Sequence, residues 1–426
     1  MLTILAIAFI FCLLLGVPIA FSMGAASLLS LLLASPKSLI IVPSRLFGGL
    51  DSFPLMAVPF FILAGKLMEE GDVSTRLVNL ASALVGFLKG GLAMVSVIAS
   101  VIFAGISGSA AADTSAMGSL LIPSMVKQGY KKGFVACLFA SSGTIGPVIP
   151  PSLLMIIYSS VTGLSVASLF LAGFLPGILM AIGLLVICYL YALKYPEHGE
   201  RMKSSWTKIV KSFKEASLAL LMPVIIIGGI ISGVFTATES AAVAVVFAFI
   251  LGTVIYKKIT FAQCWRILAE SAQTTAVLMM MVSMATLFGW ILGIKQFPKL
   301  AVDFLLTISS NPPVVLFLII LFLLAVGCFI ETIAAMIILI PVLHPVCLQF
   351  GFDPIHFAIV VIITLLIGAV TPPVGILLFL SCGMTKIELS EALKYVTPFI
   401  VCLIVVALIV AYFPGFVLLV PKFFIK

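Results

Sequence analysis

Charge is what this sequence has least of. Of 426 residues, 9% are Asp, Glu, Lys or Arg, against about 25% in a soluble domain. Beside a hydrophobic share of 63%, that shortage excludes a soluble globular enzyme, a disordered chain and a secreted disulfide scaffold. Histidine is nearly missing: His198, His344 and His356 are the three, and no H-E-x-x-H occurs. His344 sits among apolar residues and reads as a satisfied structural histidine. No Walker or G-x-G-x-x-G motif is present, so neither ATP hydrolysis nor dinucleotide binding is expected. The eight cysteines are scattered, without a C-x-x-C pair. That argues against zinc and disulfide frameworks and leaves small apolar packing as their role.

What fills the chain instead is a series of long apolar runs. They define an all-α polytopic membrane protein, with about ten transmembrane helices and two re-entrant hairpins. Repeat 1 covers 1–193: scaffold helices within 2–69, an interfacial arm at 73–89, a hairpin at 91–126, a broken helix at 133–160 and a helix at 167–193. The most polar stretch, 194–215, is the linker. Repeat 2 covers 216–426: scaffold helices within 217–294, an arm at 295–311, a hairpin at 313–349, a broken helix at 355–382 and a helix at 396–420.

The repeat rests on matched punctuation. An offset of 222 pairs Gly105 with Gly327, Pro123 with Pro345 and Gly146 with Gly368. It also pairs Pro150-Pro151 with Pro372-Pro373. An offset of 217 pairs Gly16-Val17 with Gly233-Val234. Five crossings per half is an odd number, so the second half is inverted, as in transporters with interrupted helices. The net charge of +8 lies in short loops and reads as topogenic rather than as a nucleic-acid surface. With the linker cytoplasmic, the outer side keeps only Lys37, Arg45, Lys295, Lys299, Lys422 and Lys426 of the 23 basic residues. Both termini are then outside.

Four segments break the helical pattern at membrane depth: the hairpin tips at 105–114 and 327–334, and the breaks GTIGPVIPPS (143–152) and GAVTPPVG (368–375). Irregular backbone survives in a bilayer only where protein or a water-filled cavity satisfies it. Gly and Pro there free carbonyl oxygens, and Ser and Thr add hydroxyls, which together suit a small hard cation. The same breaks leave half-helix N-termini that favour an anion. The simpler reading is close packing of small residues. Acids are few. Asp113 at the first tip is either a helix cap or a site residue, and Glu239 reads most simply as a cap. Glu331, at the second tip, is the hardest to explain structurally, since a charge at the bilayer centre costs about 2.5–3.5 kcal/mol.

The motifs FAGISGSAAADTSAMGSLLIP (103–123), SSGTIGPVIPPS (141–152), LFLAGFLPG (169–177), GAVTPPVG (368–375) and SFPLMAVPFFILAGKLM (52–68) resemble the large membrane subunit of tripartite ATP-independent periplasmic (TRAP) transporters. The resemblance runs over essentially the whole chain. It implies a secondary transporter of the bacterial inner membrane that is not an enzyme. It implies sodium-driven uptake of an organic acid, of the sialic acid or C4-dicarboxylate class, delivered by a periplasmic substrate-binding protein. It also implies a separate small four-helix membrane subunit and an elevator movement of the hairpin-bearing domain. Carried over by motif, a first sodium site would use Gly105, Ser107, Gly108 and Ser109 with Thr144, Gly146 and Pro151. A second would use Gly327, Glu331 and Thr332 with Gly368, Thr371 and Gly375. The anionic substrate would lie near Ser107, Asp113, Pro150, Ser152, Thr332 and Pro373. Two or more sodium ions are implied, with no organic cofactor; the partners are the two proteins, the anion and membrane lipid, and not nucleic acid. The alternative is a self-sufficient sodium-coupled carboxylate carrier or exchanger with the same inverted repeat.

Overall fold

The computed structural model describes residues 1–34, 39–198 and 205–424, and among these the chain is helical with no strand. The first half runs through α1 (Leu2–Leu14), α2 (Ile19–Ala34), α3 (Ile41–Leu50), α4 (Ala57–Glu70) and α5 (Val73–Val85). It continues with α6 (Gly91–Ser107), α7 (Ala110–Lys127), α8 (Lys132–Gly143), α9 (Leu153–Thr162) and α10 (Val166–Lys194). The second half runs through α11 (Trp206–Ile231), α12 (Ala237–Ile250), α13 (Phe261–Ile294), α14 (Phe297–Ile308) and α15 (Pro312–Phe329). It ends with α16 (Thr332–Gln349), α17 (Pro354–Gly368), α18 (Ile376–Thr385), α19 (Leu389–Tyr412) and α20 (Pro414–Phe424).

The two halves repeat the same order of elements. The second hairpin arms, α7 and α16, are 18 residues each, and both halves then break at a Pro-Pro pair joined by a cis bond. The halves differ where scaffold meets arm. The first bends by 62° between α3 and α4, whereas the second runs straight through the 34-residue α13. At 1.5 Å per residue α13 is about 50 Å long, more than a bilayer core.

Among the described residues seven helices are long and apolar enough to cross a membrane, or eight if the bent pair counts as one span. The ten crossings expected from the sequence include α1, α2 and the two broken helices, whose individual pieces fall short of 18 residues. Length also admits α15 and α16, the arms read from the sequence as re-entrant.

Several boundaries differ from the sequence reading, each for a local reason. Arg45 sits inside α3 rather than in a loop. The linker is shorter than 194–215, because α11 starts at Trp206; Arg201 and Lys203 lie outside the described residues, as do Lys37 and Lys426. The apolar run 277–294 is the second half of α13, whose polar first turns are capped by a Thr260–Gln263 box. Pro414 has no N–H to continue α19, so the last span divides there.

Packing sorts the helices into two groups. α1–α4 pack with α12 and α13, while α7, α8, α10 and α17–α19 pack with one another. At the centre of the second group every residue from Gly133 to Gly143 and from His356 to Gly368 is buried. That is why both segments read as unbroken apolar runs with no polar stripe. On the linker side, Lys66–Glu270 (3.2 Å) and Arg266–Glu70 (2.9 Å) tie α4 to α13.

Candidate functional site

Both hairpin tips and both helix breaks meet at one cleft of about 90 Å³. Its lining includes Gly108, Ser109, Ala110 and Ala111 from the start of α7, and Glu331, Thr332 and Ile333 from the start of α16. Leu153 and Leu154 open α9 and Ile376 and Leu377 open α18 on the same cleft. Four helix N-termini therefore converge. Each carries backbone N–H groups without intrahelical acceptors and about half a positive charge from its dipole. A bundle of such ends in apolar surroundings is an anion site without a lysine or arginine. The C-terminal ends of α6, α8, α15 and α17 stop beside the same breaks, presenting carbonyl oxygens of the opposite polarity.

The first tip is built on close backbone approach. Gly108 has φ of +61°, and a Cβ there would meet the Pro151 carbonyl oxygen of the first break. Gly105 faces Pro223 of α11, 3.0 Å from a would-be Cβ, and the Pro150 carbonyl. Behind the tip, the Ser107 hydroxyl donates to Asp113 Oδ1, and Ser109 N–H donates to Ser107 Oγ at 3.3 Å. Asp113 is fully buried. Its Oδ2 has no hydrogen-bond partner and occupies the space where a Cβ on Gly146 would stand. The neighbouring Ser141 hydroxyl, also fully buried, lacks a partner as well, while Thr144 Oγ1 donates to the Ser141 carbonyl at 2.6 Å. A buried carboxylate oxygen with nothing donating to it is the coordination a bare cation would complete.

The second tip is simpler. Glu331 is the N-cap of α16, its Oε2 accepting from Ala334 N–H at 2.9 Å, and it borders the cleft. Gly327 and Gly368 cross so closely that a Cβ on Gly368 would lie 2.6 Å from Gly327 Cα. Gly375, with φ of +53°, donates from its N–H to the Cys328 carbonyl at 3.2 Å. Thr371 Oγ1 donates back to Ile367 O at 2.7 Å.

Of the six residues expected around the substrate, only Thr332 borders the cleft. Ser107 and Asp113 lie behind the first tip. Ser152 caps α9, accepting from Met155 N–H at 3.3 Å, and Pro373 is exposed beside Pro150's repeat mate. Gly108, Ser109 and Glu331, read as cation ligands, do border it. Sequence reasoning passed over Pro147 and Ala369, which stand in the breaks, and Ser141, two residues before the first of them. Glu239 forms a capping box with Thr236, the simpler of its two readings. His344 departs from expectation: its Nδ1 is buried and has no hydrogen-bond partner, although the residue as a whole is half-buried on α16. All eight cysteines are free. Among the described residues no three His, Cys, Asp or Glu side chains cluster as a metal site.

The fold is that of known carriers. The crystal structure of the Alcanivorax borkumensis YdaH transporter superposes with a TM-score of 0.64, covering 97% of this chain and 98% of that one at 13% identity. At that identity the likeness shows the fold class alone: a helical bundle with interrupted helices. The profile described as "Tripartite ATP-independent periplasmic transporter, DctM component" matches residues 6–416. The sialic acid TRAP transporter large permease protein SiaM of Vibrio cholerae is 43% identical over 410 residues, 96% of each chain. The C4-dicarboxylate large permease protein DctM of Pseudomonas aeruginosa is 37% identical over 403 residues, 94% of each. The chain belongs to the DctM family: it is a TRAP transporter large permease, and its relatives are permeases rather than enzymes.

Proposed function

We propose that this subunit takes up an organic acid anion of the sialic acid or C4-dicarboxylate class, driven by a sodium gradient. The observation that carries the reading is the convergence of four helix N-termini on one cleft, with four carbonyl-bearing C-termini beside them. The anion's carboxylate sits against the N–H ends near Ser109 and Thr332, while the Glu331 carboxylate serves the second cation. Sodium at the first site is held by tip-one oxygens with Asp113 and the Thr144–Gly146 backbone, and at the second by Gly327, Thr332 and the Gly368–Gly375 break. Asp113 is thereby assigned to the cation rather than to the substrate. At about 90 Å³ the cleft is below the roughly 300 Å³ of ordinary ligand pockets, so the tips separate to admit substrate.

Coupling follows from charge. A membrane potential acts with about 2.3 kcal/mol per charge per 100 mV and opposes anion uptake; two or more co-transported sodium ions reverse that sign. The chain lies in the bacterial inner membrane with both termini periplasmic. It works with a separate small four-helix membrane subunit and a periplasmic substrate-binding protein. The group of α6–α10 and α15–α20 moves as an elevator against the frame of α1–α4 and α11–α13. The test is uptake into proteoliposomes holding this chain and its small subunit, under an inward sodium gradient, with a panel of organic acids supplied with and without binding protein. Uptake requiring both sodium and the binding protein is the expected result. Uptake without the binding protein would overturn the tripartite reading in favour of a self-sufficient carrier.

A further inference from the structure

A cavity much larger than the cleft lies elsewhere in the molecule. It measures about 760 Å³ and lies between α1, α13 and α14 on one side and the hairpin arms α15 and α16 on the other. Phe9, Phe288, Phe304, Phe322 and Leu343 face it, and Thr3 is the only polar side chain among the described lining residues. The corresponding slot of the first half is occupied by packing. There the arm α5 packs on both α6 and α11, burying Val73, Ser74, Leu77, Leu80, Ala81 and Ala83. Arg76 pins it, with its guanidinium 3.8 Å from the Tyr256 ring centre and Nη1 donating to the Glu215 carbonyl at 3.2 Å. The arm α14 instead packs on α16 and the end of α13 and fully buries only Val302. The same architectural slot is thus filled by protein in one half and left open in the other.

We propose that this cavity is a phospholipid site, one acyl chain occupying it with the phosphate headgroup at the start of α14. Three features select that occupant. Apart from Thr3 the lining offers no hydrogen bonds, so it suits hydrocarbon and not a polar ligand. Lys295 and Lys299 stand exposed at the start of α14, the helix whose Phe297 and Ala301 line the cavity, with Asp303 one turn further along, and supply cationic donors for a phosphate beside it. At about 760 Å³ the cavity has room for a flexible hydrocarbon chain. A flexible chain also tolerates a slot whose two walls belong to different helix groups. The site does not depend on which anion is carried or on sodium coupling.

The test uses the full chain with its small subunit, purified from membranes into detergent and washed until bulk lipid is removed. Phe304→p-benzoylphenylalanine and, as a lipid-facing control, Phe249→p-benzoylphenylalanine are irradiated and analysed by mass spectrometry. The expected result is a phospholipid adduct that survives washing at position 304 and disappears at 249. Equal loss at both positions overturns the site, and an adduct to the small subunit at 304 reassigns the cavity to a protein interface and overturns it too. Native mass spectrometry of Ala301→Phe, which fills the cavity without a photoprobe, is expected to show at least a tenfold drop in retained phospholipid. Lys295→Gln with Lys299→Gln is expected to lower retention of anionic and zwitterionic phospholipids alike. Unchanged retention in the filled variant contradicts the proposal.

Discussion

Asp113 and Gly146 form the pair on which the proposed first cation site turns. The carboxylate accepts from Ser107 on one oxygen and leaves the other bare against a residue that has no Cβ. Asp113→Asn keeps the side chain's shape and its link to Ser107 while removing the charge. Sodium-driven uptake is expected to fall at least about tenfold, the effect of 1.4 kcal/mol, with the melting temperature of the complex little changed. A large fall in melting temperature with sodium dependence intact would mark Asp113 as structural. Glu331 separates its two jobs by substitution. Glu331→Ala removes the cap on α16, worth about 1 kcal/mol, and the charge with it. Glu331→Gln keeps an acceptor for Ala334 and removes the charge alone. If the charge serves the second site, both variants lose uptake and only the alanine loses stability, a split read by transport assay and thermal melting together. These residues were visible in the sequence because acids are so few at membrane depth. Ser141 was not, because a serine inside an apolar run is ordinary until its hydroxyl is found buried without a partner.

The broken helices were the most legible elements. Gly and Pro clusters inside apolar runs have few meanings in a bilayer, and their pairing at a constant offset marks them as corresponding parts. Their exact lining was less legible. A break can be read as a centre of irregular backbone, but the cleft is bordered mainly by the first residues of the helices that restart after it, Leu153 and Ile376 among them. Ends of scaffold helices were the least legible. Capping boxes at Thr236 and Thr260 extend α12 and α13 beyond what hydropathy marks. The crossing of α15 over α17 makes an element-scale prediction. A methyl group on Gly368 would press on the Gly327 backbone, and neither chain segment can yield as a flexible side chain does. Gly368→Ala is expected to destabilise by about 1–3 kcal/mol and to lower uptake, seen as a lower melting temperature of the purified complex. Gly383→Ala, where a Cβ meets nothing within 4 Å, is the matched control and is expected to leave both unchanged.

At the scale of the molecule the two halves are alike in order and unlike in environment. The first break, 143–152, is buried throughout, whereas Pro373 and Val374 of the second are exposed, as is Phe379 on α18 at 67%. The reason is contact with the frame. α9 packs on α4 and on the 3-10 turn Phe53–Met56, while α18 packs on α7, α8 and α19. One end of the hairpin-bearing group is thus held against the frame and the other stands free of it. On the proposed elevator movement, the cleft passes between two such arrangements, each exposing one break. The account stands or falls on that displacement, and it is measurable as a distance. Nitroxide labels at Val246 on α12 and Phe379 on α18, both exposed, are placed in a background without the eight native cysteines that still transports, and read by double electron–electron resonance in lipid. The account predicts two distance populations whose balance shifts when sodium and substrate are added. A single distance, unmoved by either, would contradict it.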